Sequence, residues 1–525
     1  MGSLGLSLSL SPGNPAMQGG VGAATPKPLL MSSRLNLMGF NGYAGSDGTM
    51  TDSNCKIGFY NRFGCRVTKI GVVLSNWRLN GTNEADGYND INVNFSMRNA
   101  GGVVPGASGL VIPPSGPEST VVVPVDVIIE NGELAYWQGY VWVAPGGRWP
   151  QGYAINTSAP WIERADFNTH LDKSDGSAIT SNGGAATTRG FGPVAIIALE
   201  WEGTPYGDSY AGGPGDSIEA GTTFGRVDPD GNFGPYGNAC HSLGRPYMNM
   251  SYTGYRAEFN QPVNLTRRLD LLSKAKPSDA IYGLGFNDMN ISSRSAVQTF
   301  GYAEPIIEAL LDAVAGRVYV ATITPKVTLT DGGETLAGQT VPTTGPFSGG
   351  AGSERQLYNA MLRGIASDRV VVVEAGDAVE STTAPGKFKT AEPGEPASDR
   401  LIAWQTGTVT SYAALTISAS GLSLSSASGG ILAFGGSIVW KTGVNTGIRS
   451  FVQSNGVSTV TLVNGPTGTG TLIAPPSPGD TFETRALGSR TVAADGYHLA
   501  AGYVGGVHIQ GQGMICKAFI DARGP

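Results

Sequence analysis

Ser217 closes a small, turn-forming triplet, Gly215-Asp216-Ser217, and is followed at once by Ile218-Glu219-Ala220-Gly221, residues able to start a helix. A serine at such a strand-to-helix elbow exposes its hydroxyl, and a helix N-terminus favours negative charge developing beside it. Serine at its free pKa is a poor nucleophile and needs an adjacent base. Histidine is the side chain suited to that task near neutrality. The chain has four histidines, and only His498 has an aspartate, Asp495, one helical turn before it. Asp495 would orient the imidazole and stabilise its charged form. Ser217, His498 and Asp495 together would carry out nucleophilic acyl transfer. His170, His241 and His508 have no comparable neighbours and read as structural.

Each stretch also has a plainer reading. Gly-Asp-Ser is an ordinary turn sequence, Asp-x-x-His an ordinary helix-end charge pair, and Gly285-Phe286-Asn287-Asp288 an ordinary turn after an apolar strand. The first triplet is moreover duplicated in Gly207-Asp208-Ser209, which like the other has a glycine four residues beyond its serine, Gly213. Ser209 is therefore the alternative nucleophile. Ser217 is preferred because Ile218-Glu219-Ala220 starts a helix better than Tyr210-Ala211-Gly212. Asp216 then stabilises the turn and is not the triad acid.

Elements that could position these residues follow from the hydrophobic pattern. Residues 1–30 are small and Gly/Pro-rich and read as an N-terminal arm or linker. From 31 to 190 the pattern has period two, cleanest in Ile91-Asn92-Val93-Asn94-Phe95-Ser96-Met97, as in a half-buried strand. Arg66 to Leu74, Thr120 to Ile129 and Ala135 to Ala144 are further strands, and together they predict an all-β sandwich-like domain. Trp137, Tyr140 and Trp142 could form a sugar-stacking face, but large aromatics more often serve a core. At about 191 the texture changes. Val194 to Leu199, Ile281 to Leu284, Val318 to Ala321 and Val370 to Val373 are apolar runs expected of strands buried on both faces. Pro305 to Val314 and Ser353 to Ile365 read as helices between them, the first with proline in its opening turn. Residues 191–390 are thus the first part of a parallel α/β domain. A Gly/Ser/Thr-rich β module follows at 391–489, with strands at Ile431 to Phe434, Ser437 to Trp440 and Val457 to Val463. The α/β domain resumes at 490–525 with its last helix at 495–520.

Four blocks in that α/β portion carry a resemblance. Gly215-Asp216-Ser217 with Gly221, Asn249-Met250-Ser251-Tyr252-Thr253-Gly254, Gly285-Phe286-Asn287-Asp288, and Asp495-Gly496-Tyr497-His498 with Gly502 occur in that order. The α/β portion resembles the SGNH (GDSL) hydrolase family, in which Leu499 stands where a proline is usual. The resemblance implies a three-layer α/β domain with a flavodoxin-like parallel sheet. It also implies Ser217 as nucleophile, Asp495 and His498 as its partners, and an oxyanion hole made by the Ser217 and Gly254 N–H groups with the Asn287 side-chain amide. Each donor of this kind is typically worth on the order of 10²–10³ in rate. No metal or other cofactor is implied.

Composition bounds the rest. With 525 residues the chain exceeds one ordinary core. Charged residues are only 14%, with 78 Gly and 32 Pro, while a 40% hydrophobic share is enough for real cores. The net charge of −7, with no basic stripe, argues against nucleic acid as a partner. No apolar run is long enough to span a membrane as a helix. The first residues lack the basic region of a signal peptide and fail the myristoylation pattern, with Leu6 at the serine/threonine position. Cys55, Cys65, Cys240 and Cys516 lack metal spacing. Cys55 and Cys65 fit either a hairpin bridge or two buried thiols.

The expected substrate is an ester, thioester or O-acetyl group. The stretches Lys441 to Gly447 and Pro478 to Phe482 resemble β modules of phage tail proteins, and the Gly-rich arm and low charge resemble fibre or spike subunits. The reading is therefore a virion-associated serine esterase that deacetylates host surface polysaccharide, homo-oligomeric and in contact with other virion proteins. A structural or glycan-binding fibre with a degenerate hydrolase domain, and a secreted bacterial carbohydrate esterase, are the alternatives.

Overall fold

Most of the apolar runs expected to be buried on both faces do pair in parallel. The computed structural model describes residues 29–32, 35–36, 43–44, 51–80, 83–150, 164–180, 191–220, 234–349, 352–392, 404–424, 437–463, 472–485, 492, 498–499, 502–504 and 507–524. Among these, six strands form one sheet: β1 (Leu35–Asn36), β2 (Tyr210–Gly215), β3 (Tyr247–Asn249), β4 (Asp279–Gly283), β5 (Val318–Ala321) and β6 (Val370–Val373). Their order is β1-β3-β2-β4-β5-β6 and every pairing is parallel. Counted from β2, this is the 2-1-3-4-5 order of a flavodoxin-like doubly wound sheet, extended at one edge by β1. Helices α1 (Ser217–Ala220), α2 (Gly234–Leu243), α3 (Thr266–Ala275), α4 (Phe286–Asn290), α5 (Ala296–Ala313), α6 (Glu354–Gly364), α7 (Ala375–Val379) and α8 (Gln510–Arg523) complete this part.

Two helices start where their caps dictate. Ser353 caps α6 by accepting from the Gln356 N–H, and Ile365 ends it, as the sequence predicts. Helix α5 differs from expectation. It begins at a capping box between Ser295 and Gln298, so Pro305 lies inside the helix and not in its first turn. The reciprocal bonds of that box satisfy end donors that a proline start would only have omitted. The last helix also starts later than expected, at Gln510. A short antiparallel hairpin, Gly502–Val504 with Val507–Ile509, occupies the preceding stretch.

The front domain is built of antiparallel sheets. A five-stranded sheet runs Arg164–Phe167, Asp52–Tyr60, Leu134–Trp142, Ile91–Asn99, Gly102–Ile112. A three-stranded sheet runs Ala195–Glu202, Arg66–Ser75, Thr120–Ile129. The run at 194–199 is thus a correction to the sequence reading: Ala195–Glu202 pairs antiparallel with Arg66–Ser75 and belongs to the front domain. It is apolar throughout because both its faces are covered, a condition that periodicity alone cannot assign to one sheet type. Trp137 is wholly buried, whereas Tyr140 and Trp142 stack on each other, half-buried, with ring centroids 5.2 Å apart. Cys55, Cys65, Cys240 and Cys516 are buried thiols, not bridged to one another.

Residues 29–32 and 35–36 stitch the two parts together. Leu29 N–H donates to the Lys276 carbonyl, Met31 N–H to Ile196, and Tyr247 N–H to Ser32. Residues 1–28 of the expected arm lie outside the described residues.

The inserted module is a closed six-stranded barrel in the order Thr406–Ala413, Thr416–Ser420, Thr459–Leu462, Arg449–Asn455, Ser437–Trp440, Thr481–Arg485. Its core holds Ile417, Ile438, Trp440, Val460 and Phe482. The strand expected at Ile431 to Phe434 lies outside the described residues. Glu334 of the α/β domain accepts hydrogen bonds from Arg449 and Arg485 of the barrel. No helix among the described residues is long and apolar enough to cross a membrane.

Candidate active site

In a doubly wound sheet the crevice lies beyond the carboxyl ends of the strands, where the order reverses. Here the reversal falls between β2 and β4. Gly215 at the end of β2 is registered with Gly283 at the end of β4. Ser217 therefore follows one strand, and Asn287 the other, at the same edge of the sheet. A Cβ on Gly215 would stand 2.5 Å from Ser251 Oγ, so only glycine lets the oxyanion-loop candidate approach β2 this closely. Gly285, at φ 122°, turns the chain from β4 into α4. A Cβ there would meet the Tyr358 ring at 2.6 Å.

Ser217 Oγ and His498 Nε2 are 2.8 Å apart, a contact across 281 residues of chain. Ser217 opens α1 and is 9% exposed. Asp216 accepts the Ile218 N–H at 2.9 Å, the turn-stabilising bond expected of it. His498 lies in a bend, not on a helix. Its neighbour Leu499 bridges Val492, and both are buried in the core that holds Ile515 and Phe519 of α8. Asp495 lies outside the described residues.

The segment 250–260, which carries Gly254, is tied down on several sides. Met250 and Tyr252 N–H groups donate to the Gly212 and Gly215 carbonyls of β2. The Asn249 side chain donates to the Glu219 carbonyl of α1 and accepts the Ser251 N–H. Asp288, buried at the start of α4, accepts the Ala257 and Glu258 N–H groups at 2.8 and 2.9 Å. Gly254 sits at φ 78° in the turn between Tyr252 and Tyr255. Among the described residues, no backbone carbonyl takes the N–H of Gly254 or of Ser217. Asn287 is 6% exposed, and its amide donates to the Tyr255 carbonyl at 3.2 Å. Asn249 and Asp288 are the contributions that sequence reading missed. Both stand inside quoted motif blocks, at the first and last position of theirs, without a role attached.

Burial sets the electrostatics beneath the serine. Asp216 is pushed up to about 7 by burial, reinforced by the nearby Asp288. Asp288 is itself pushed up to about 6 by burial, against the two amide bonds it accepts. Glu219, which accepts from the Tyr247 hydroxyl and the Tyr236 N–H, is driven well above the carboxylate range by burial. A cavity of about 30 Å³ below α1, lined by Asp216, Glu219, Tyr236, Phe286 and Thr324 among others, has room for about one water. Among the described residues, no group of three His, Cys, Asp or Glu side chains is arranged to hold a metal.

Ser209 occupies different ground. It is 1% exposed and precedes β2, at the opposite end from Ser217 of a six-residue strand about 20 Å long at ordinary strand rise. Its hydroxyl accepts the Ser278 N–H at 3.0 Å, and its own N–H donates to Ser278 Oγ at 2.8 Å. Next to it, Asp208 pairs with Arg245 and Arg523, the latter at the end of α8. This is a structural clamp on the strand's entry.

No family model matches the chain, and no curated protein matches it. Similar solved structures include a Bacillus subtilis protein, 13% identical, covering 62% of this chain and 68% of that one with a TM-score of 0.26. They also include two family two carbohydrate esterases. One, from Clostridium thermocellum in complex with cellohexaose, is 14% identical over 66% of this chain and 87% of its own, with a TM-score of 0.24. The other, from Cellvibrio japonicus, is 11% identical over 69% and 90%, with a TM-score of 0.24.

Proposed function

We propose that the chain is a serine esterase of the SGNH type, with Ser217 as nucleophile and His498 as its general base. The 2.8 Å contact between Ser217 Oγ and His498 Nε2 carries this reading, because it joins the two residues that acyl transfer most needs. His498 takes the hydroxyl proton as Ser217 Oγ attacks the ester carbonyl carbon. The oxyanion that forms is met by the Ser217 and Gly254 N–H groups and the Asn287 amide. Collapse breaks the ester C–O bond, and His498 returns the proton to the departing alcohol. Water, deprotonated by His498, then attacks the acyl-serine; the C–Oγ bond breaks, His498 returns the proton to Ser217 Oγ, and the acid leaves. Asp495 is assigned the role of holding the imidazole, from its position in the sequence alone.

The substrate class proposed is an O-acetyl group on a surface polysaccharide, and the setting a phage or phage-like particle with the chain as a homo-oligomer. The β-rich front domain and inserted barrel, with the low charge, support this setting. Acetate release from an O-acetylated polysaccharide and hydrolysis of p-nitrophenyl acetate, by wild type and Ser217→Ala, form the test. Both activities are expected in the wild type and neither in the variant. A wild type inert on both, yet retained on the polysaccharide, would instead establish the degenerate, glycan-binding reading.

A further inference from the structure

Helix α3 lacks a cap of its own. Leu265 stands at its N-cap position and supplies no side-chain acceptor, although the first N–H groups of any helix need one. The acceptor comes from the front domain. Glu84, on a two-stranded hairpin of Trp77–Asn80 and Asn83–Asp86, accepts the Arg267 N–H at 2.7 Å and the Arg268 N–H at 3.2 Å. Those are the second and third residues of α3, the donors that an N-cap side chain satisfies. Glu84 thus caps a helix of the other domain across 183 residues.

The same carboxylate fixes a cation. Arg268 NH1 is 3.2 Å from Glu84 Oε1, and the two side chains are 1% and 3% exposed. Among the described residues, the other hydrogen bonds and the ring contact of the Arg268 side chain lie on the segment that carries Gly254. Its Nε donates to the Met250 carbonyl at 3.1 Å and its NH1 to Asn260 Oδ1 at 3.3 Å. Its guanidinium lies over the Tyr255 ring, 4.6 Å from the centroid. Tyr255 in turn offers its carbonyl to the Asn287 amide. An unbroken set of contacts therefore runs from Glu84, through Arg268, to both ends of the segment 250–260 and to Asn287. Truncating one partner of a buried charge pair leaves the other uncompensated, so this connection is strongly specified.

We propose that Glu84 and Arg268 are positioning residues for the oxyanion hole, so that the front domain is a working part of the esterase site. This rests on the esterase reading above. Arg267 and Asp86 pair at the rim of the same interface, with Asp86 59% exposed, and this pair reaches none of the residues of segment 250–260 given above. It supplies the control.

The experiment uses the full chain with Glu84→Gln, Glu84→Ala and Asp86→Asn. It reads kcat and KM on p-nitrophenyl acetate, melting temperature, and inhibition by phenylboronic acid, whose serine adduct places a negative oxygen in the oxyanion hole. Glu84→Gln is expected to lower kcat about ten-fold with KM unchanged and to raise the boronate Ki in the same proportion, with Glu84→Ala losing more. Asp86→Asn is expected to match wild type in kcat and Ki. The proposal is overturned if Glu84→Gln keeps wild-type kcat. It is equally overturned if kcat falls with the boronate Ki unmoved, or if Asp86→Asn loses as much kcat as Glu84→Gln does. A wild type with no esterase activity, by contrast, overturns the esterase reading itself.

Discussion

The Asn287 amide donates to the Tyr255 carbonyl at 3.2 Å, fixing the side chain with one of its two N–H bonds. No partner for the second N–H is found among the described residues, so in the proposed site it would serve a substrate oxygen. Asn287→Ala is therefore expected to lower kcat by on the order of 10²–10³ with little change in KM. Steady-state kinetics on p-nitrophenyl acetate test this, and a loss confined to KM would remove Asn287 from the oxyanion hole.

Ser209 and Ser217 should separate cleanly in the same assay. Ser217→Ala is expected to cost at least about 10³ in kcat, as loss of a nucleophile does. Ser209→Ala strips the acceptor from the buried Ser278 N–H, a loss of about 1–3 kcal/mol in stability. Its melting temperature should fall by several degrees while kcat stays at the wild-type value. An inactive but stably folded Ser209→Ala protein would move the nucleophile to the other Gly-Asp-Ser.

Asp288 satisfies two amides at once, the buried one of Ala257 and the half-buried one of Glu258. Asp288→Ala leaves the buried Ala257 N–H unpaired, for a destabilisation of about 1–3 kcal/mol, and frees the segment that bears Gly254. Asp288→Asn retains an acceptor and should be milder in denaturant unfolding. Both variants are expected to lose kcat in the order of their loss of stability. Full activity in Asp288→Ala would show that the segment holds its shape without this clamp.

Asp216 predicts a pH dependence of folding. Its native value of about 7 lies above that of an unfolded aspartate, so the native state binds the extra proton between about pH 4 and pH 7. The contribution to stability is fully present below pH 4 and is lost as pH rises to 7. Asp288, raised to about 6 mainly by burial, contributes in the same direction over the lower part of that window. Asp216→Asn, which keeps the acceptor for Ile218, should flatten the stability profile in that window by up to about 1.4 kcal/mol per pH unit. Urea unfolding at pH 4, 5.5, 7 and 8 measures this, and an unchanged slope would place the protonation elsewhere.

The sequence made the contacting pair Ser217 and His498 and the parallel strands legible for different reasons. Ser217 and His498 were visible because few other residues of their type had suitable neighbours. β4, β5 and β6 were visible as apolar runs because sheet burial on two faces leaves few polar positions, Asp279 at the start of β4 being one. The same signal misassigned Val194 to Leu199, since a strand sandwiched within a β domain looks identical. α5 began early because its box uses Ser295 and Gln298, which sit ahead of the apolar stripe that betrayed the helix. Glu84 and Arg268 were illegible for a deeper reason. Nothing local distinguishes a carboxylate that will cap another domain's helix from one that faces water, so the pairing exists only in the folded chain.

The barrel that lies between Glu334 and His498 in the chain has a bearing on synthesis. A ribosome completes Ser217 and the segment around Gly254 and Asn287 long before it reaches the imidazole that contacts Ser217. Any chain halted within the barrel holds the serine without this histidine. Chemistry of the kind proposed would thus be withheld from every unfinished copy, and its onset would mark translation having passed the inserted module.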